Sequence, residues 1–156
     1  MNDNANVDAL VTIAADSEKA VVGNALANPD TFPEFVEQGV KLSCFRDPIR
    51  AALWRAMMTA DAAGDPFDAV TIRAAVIADG RLDADMVSAE VVECIDPTRL
   101  HSIGHARDAA DRLIDLDMRR RAARILSDGA KAATTPDADP SVSYTHLRAH
   151  ETVLDL

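Results

Sequence analysis

Between Asp47 and Gly64 the chain carries a complete set of helix signals, and this stretch limits the fold more than any other. Asp47 offers an N-cap and Pro48 suits the first helical position. Ile49, Ala52, Leu53, Ala56, Met57 and Ala60 then recur at i, i+3, i+4, i+7, i+8 and i+11. Gly64 supplies the stop. An apolar stripe of this width must be covered by other elements, so Leu53, Trp54 and Met57 are expected in a core. Trp54 reads as a packing anchor rather than a ligand-stacking ring.

The rest of the chain repeats the same grammar. A first helix is expected over 17–27, with Asp16 or Ser17 as cap, Val22, Ala25 and Leu26 on one face, and Asn28-Pro29 as the break. Residues 1–16 are expected as a flexible lead. A short helix capped by Asp30 carries Phe32, Phe35 and Val36 and ends at Gly39. A fourth starts near Asp68 or Thr71, carries Ile72, Val76 and Ile77, and closes at Gly80; a fifth runs from Asp83 or Asp85 to Ile95, where Asp96-Pro97 breaks it. From 98 to 133 no proline intervenes, so one long helix is expected, weakened near Gly104 and projecting from the bundle. Alternating apolar runs are almost absent, 29 of the residues are Ala, and the predicted fold is all-α, a compact bundle of about five short helices followed by one long helix.

The long helix is over-apolar for a single packing partner. Ile114, Met118, Ala122 and Ile125 lie on one side, Leu116, Ala123, Leu126 and Ala130 on another, while Asp117, Arg120, Arg121 and Arg124 gather in a charged sector. Leu113, Ile114, Leu116, Met118, Ala122, Ile125 and Leu126 are therefore the expected partner interface. The expected core is Val22, Leu26, Leu53, Trp54, Met57 and Ile72.

Charge and motif content then narrow the function. The 156 residues carry a formal net charge of −10, which repels a phosphate backbone and argues against direct nucleic-acid binding. No apolar run is long enough to cross a membrane, and the Met-Asn-Asp-Asn start lacks the basic residues of a secretory signal, so the expected location is the cytoplasm. Cys44 and Cys94 form no C-x-x-C pair and read as reduced, buried hydrophobes. No Gly-Lys pair exists to build a triphosphate-binding loop, and no G-x-S-x-G elbow marks a nucleophile, so neither ATP hydrolysis nor a triad is expected. His101 and His105 have the i, i+4 spacing of a zinc pair but lack its glutamate, Ser102 standing there. They read as surface histidines. The expectation is no catalytic, cofactor-binding or metal-binding residue in this chain.

The order of the motifs carries a resemblance. Ser17-Glu18-Lys19-Ala20-Val21-Val22-Gly23-Asn24-Ala25-Leu26 resembles the E-x-x-V-L-G-x-L opening of the amino-terminal domain of DnaB-type replicative helicases. Cys44-Phe45-Arg46-Asp47-Pro48-Ile49-Arg50 through Leu53-Trp54 is similar to that domain's F-x-x-x-x-H-x-x-I-F helix. Gly64-Asp65-Pro66-Phe67-Asp68-Ala69-Val70-Thr71-Ile72 is similar to its G-x-P-x-D-x-x-T turn, and Asp79-Gly80-Arg81-Leu82 to the G-x-L that follows. The resemblance covers 17–133. Ala84-Asp85-Met86-Val87-Ser88-Ala89 stands where the family commonly has G-G-x-x-Y-L.

The resemblance implies a compact helical head plus the first arm of a helical hairpin, self-associating as a dimer within the collar of a hexamer and contacting primase and, in some bacteria, the loader. It places ATP and Mg²⁺ in a separate RecA-like motor domain. A free-standing helical adaptor or regulator is the alternative reading. Thr134 to Ser141 reads as a linker, and 142–156, Val-Ser-Tyr-Thr-His-Leu-Arg-Ala-His-Glu-Thr onward, looks like a translated sequencing adapter. That tail, with His146 and His150, is expected to be non-native and the reading frame truncated.

Overall fold

The structure, a computed structural model, describes residues 3–134 apart from Arg99 and His101, with side chains described over 11–132. Among the described residues every α or β element is a helix: α1 (Asp3–Ala27), α2 (Phe32–Gln38), α3 (Pro48–Ala63), α4 (Ala69–Ala78), α5 (Ala84–Ile95) and α6 (Ile103–Thr134). Single 3₁₀ turns at Pro29–Thr31 and Leu42–Cys44 join α1 to α2 and α2 to α3. Two compact units divide the chain, one through Leu116 and the other from Asp117 on, and α6 contributes to both. The sequence expectations for the tail, for His101 and for Arg99 lie outside the described residues.

Local chemistry sets most of the boundaries. The Asp47 carboxylate accepts from the Ile49 and Arg50 N–H groups at 2.9 and 3.0 Å, meeting two of the donors that a helix start leaves unpaired. Gly64 closes α3 at φ +72°, a left-handed conformation that glycine adopts without a Cβ penalty. Asp68 and Thr71 cap α4 reciprocally, the carboxylate accepting from Thr71 N–H at 2.7 Å and the Thr71 hydroxyl accepting from Asp68 N–H at 2.9 Å. The Thr71 backbone and side-chain hydrogen bonds hold the Asp68 carboxyl below its ordinary range. This cap is therefore at full strength at neutral pH and weakens as pH falls into the carboxylate range. Asp83 caps α5 through the Asp85 and Met86 N–H groups, both at 3.0 Å.

Three boundaries differ from the sequence reading. Helix α1 begins at Asp3 rather than near Ser17, so Asp16 and Ser17 lie inside the helix instead of capping it. No glycine or proline interrupts 3–22, and aspartates in the first turns suit the positive end of the helix dipole. The α2 cap is Thr31, not Asp30, because Pro29–Thr31 is taken up by the 3₁₀ turn. Helix α6 begins at Ile103 rather than near Thr98. Asp96 ties up the preceding turn, accepting from the Thr98 N–H and hydroxyl at 2.8 Å each, and the Ser102 hydroxyl accepts from His105 N–H at 3.3 Å at the helix start.

All six helices contribute to one core within the unit through Leu116. Val21, Val22, Ala25 and Leu26 of α1 meet Leu53, Trp54 and Met57 of α3, Ile72 and Val76 of α4, and Val87, Val91 and Cys94 of α5. Phe32 and Phe45 flank Trp54 with ring centroids 4.8 and 5.0 Å from it, and Phe67 meets Phe32 edge-on at 5.6 Å. Helix α6 enters this core with small residues, Ala106, Ala109 and Ala110, plus Leu113. That face differs from the two drawn from the larger apolar residues in the sequence.

One glycine is fixed by a close approach. A Cβ on Gly23 would sit 2.2 Å from the Cys94 carbonyl oxygen, so any other residue there would push α1 away from the end of α5. The helix-propensity cost of an interior glycine, about 1 kcal/mol relative to alanine, is offset by that packing.

Candidate functional site

Two features stand apart from ordinary core and surface: a buried ionic junction in the first unit and an apolar, charged half-helix in the second. The junction begins with Glu18 of α1. Its side chain is 2% exposed, and its Oε1 and Oε2 accept from the Arg46 and Asp47 N–H groups at 2.7 and 3.2 Å, just ahead of α3. Arg50, one turn into α3, donates from Nη1 to Glu18 Oε2 at 3.2 Å and from Nε to Glu90 Oε1 of α5 at 2.7 Å. Its Nη1 also approaches the Ala15 carbonyl oxygen at 3.4 Å. One guanidinium thus ties α1, α3 and α5 together using the separated donors that lysine lacks. Burial alone would lower the Arg50 pKa, but the Glu90 hydrogen bond and the charges of Glu90, Asp47 and Glu18 outweigh it and hold it above the ordinary guanidinium value.

The junction holds three helices together. Cys94 lies beside it, its Sγ 3.6 Å from Glu90 Oε1, and burial followed by the Glu90 charge pushes the thiol up to about 12. The protonated thiol is therefore its favoured form at neutral pH. Among the described residues no group of three or more His, Cys, Asp or Glu is disposed to hold a metal ion, and no helix is long and apolar enough to cross a membrane. An open groove of about 610 Å³ between α3 and α4 is floored by Ala52, Ala56, Ala60, Ile72 and Val76. A smaller hollow of about 430 Å³ is edged by the Lys19–Glu93 ion pair, 2.6 Å apart.

The seven residues grouped as an interface separate along α6. Leu113 is 1% exposed and belongs to the core of its own unit, which removes it from any partner surface. Ile114 and Leu116 are half-buried, and Ile114 packs against that core and 3.7 Å from the position a Gly39 Cβ would take. Beyond Leu116 the apolar residues face outward: Met118 is 56% and Leu126 73% exposed, Ala122 is exposed and Ile125 half-buried. Asp117 pairs with Arg121 at 2.8 Å and approaches Arg120 at 3.6 Å, fixing the charged sector. The other named positions, Val22, Leu26, Leu53, Trp54, Met57 and Ile72, are all buried. Glu18 and Arg50 were visible in the sequence only as motif letters, and nothing in their local spacing reveals that they meet.

This wholly helical head, extended by one long helix, has the fold of a helicase amino-terminal domain. The crystal structure of the N-terminal domain of DnaB helicase from Mycobacterium tuberculosis is similar to it with a TM-score of 0.69, at 18% sequence identity, over 91% of this chain and 96% of that one. The family profile for the DnaB-like helicase N terminal domain matches residues 12–110, and the chain belongs to that family. No curated protein matches it.

Proposed function

We propose that this chain is the assembly and partner-binding domain of a replicative DNA helicase, with the half of α6 beyond Leu116 as the face that other chains cover. The observation that carries this reading is the exposed set Met118, Ala122 and Leu126, with Ile125 half-buried beside them, on a helix whose first half is already committed to the core. Fully burying a side chain such as Met or Leu contributes about 1.5–3 kcal/mol, so even this small set favours association. The domain contributes to the helicase collar, offers its outer surfaces to primase and to a loader, and leaves ATP hydrolysis and strand translocation to a motor domain. Its net charge of −10 fits a protein-binding role better than a DNA-binding one. The site of action is the cytoplasm, where chromosome replication takes place in bacteria.

Sedimentation across a range of concentrations tests the assembly face. The wild-type chain is expected to show a concentration-dependent dimer, and Met118→Asp with Ile125→Asp to sediment as a monomer with unchanged Trp54 emission. A wild type that stays monomeric at all concentrations contradicts the reading.

A further inference from the structure

Helices α2 and α6 are seated in the core by different means. Phe32 and Phe35 of α2 are wholly buried aromatics. The first half of α6 enters through Ala106, Ala109, Ala110 and Leu113, with Ile103 and Ile114 only partly covered. Methyl groups remove little apolar surface from water, so apolar packing holds this half of α6 more lightly than it holds α2.

Polar rungs at the surface join the same two helices. Glu34 Oε2 accepts from Arg107 Nη2 at 2.5 Å. One turn further along both helices, Gln38 Nε2 donates to the Asp111 carboxylate at 2.7 Å and to the Arg107 carbonyl oxygen at 2.9 Å. Both amide protons of Gln38 are thereby engaged, and both of its partners are acceptors. Gly39 then ends α2 at φ +110°, where a Cβ would lie 3.7 Å from Ile114 Cδ1. Arg107, Asp111 and Ile114 follow i, i+4 and i+7, so one stripe of α6 lies along the last turn of α2.

We propose that Glu34 and Gln38 form a polar latch, and that residues 103–116 of α6 release from the head as a separate unit when it opens, while the core around Trp54 stays folded. Release of this kind is a sub-global opening, set by the few contacts that hold the segment rather than by the stability of the whole head. The helix that carries the proposed assembly face is thus seated on the head by a device that can be opened by itself. The latch stands or falls independently of self-association, because all of its residues lie in the unit that ends at Leu116.

Amide hydrogen exchange on the full chain at dilute protein tests it. In the wild type, 103–116 is expected to exchange through an opening at least about tenfold more populated than the one that exposes 48–63 of α3. Gln38→Glu keeps the size of the side chain but sets an acceptor against two acceptors, and Gln38→Met removes the donors without adding charge. Each is expected to speed exchange over 103–116 by on the order of tenfold, with 48–63 held within about threefold of wild type. Glu34→Arg is expected to act in the same direction, and Glu34→Arg with Arg107→Glu to restore exchange over 103–116 to near the wild-type rate, since the pair re-forms with its signs exchanged. Trp54 emission reports that the core of each variant remains folded. The proposal is overturned if 103–116 and 48–63 exchange together in the wild type, if the Gln38 variants leave 103–116 unchanged or accelerate both segments equally, or if the Arg107→Glu partner change fails to restore protection.

Discussion

Trp54→Ala is expected to cost about 3–5 kcal/mol, the range for truncating a fully buried aromatic. Trp54 is wholly buried and in ring contact with Phe32 and Phe45, so its removal opens a cavity lined by side chains anchored in separate elements, where collapse is difficult. Its Nε1 is buried without a hydrogen-bond partner among the described residues. Trp54→Phe keeps a ring and removes that unpaired N–H, so it is expected to cost only about 1–2 kcal/mol. Urea denaturation checks both, read by circular dichroism, since either change removes the chain's single indole. A loss below about 1 kcal/mol for Trp54→Ala would place the indole outside the load of the core.

The second large effect lies at the ionic junction. Arg50→Ala leaves the Glu18 and Glu90 side chains, 2% and 13% exposed, without their shared cation. Removing one partner of a buried pair typically costs about 3–5 kcal/mol, and that loss is expected here. Glu18→Ala should cost a similar amount, since it also strips the Arg46 and Asp47 N–H groups of their acceptor. The double variant is expected to cost clearly less than the sum of the two singles, because each single change creates the orphan that the other removes. Additive losses in denaturant titrations would show that Arg50 and Glu18 act independently. Arg50→Lys is expected to destabilise as well, since one ammonium cannot reach Glu18 and Glu90 in the same geometry.

The contrast between these two sites shows what the sequence exposes. Trp54 sits on a helix whose cap, stripe and stop are all local signals, and α3 spans Pro48–Ala63 between Asp47 and Gly64 as those signals require. Glu18 and Arg50 are 32 residues apart and Arg50 and Glu90 are 40 apart, so no periodicity links them. The same limit affected α1. Asp16 and Ser17 have the chemistry of an N-cap, but Ser17 is buried in a helix that starts at Asp3 and continues past it. On α6 the signal is present but faint. Ala106, Ala109, Ala110 and Leu113 follow the i, i+3, i+4, i+7 pattern, yet three methyl groups weigh little on a wheel beside Ile, Leu and Met. Close approach, not side-chain size, selects that face.

An assembly role requires residues 117–134 of α6 to be covered by another chain, and amide hydrogen exchange measured at dilute and concentrated protein tests this most directly. Protection over 117–134 is expected to rise with concentration while protection over 103–116, whose Ala106, Ala109, Ala110 and Leu113 are already in the core, stays constant. Equal protection of 117–134 at both concentrations would contradict the assembly role.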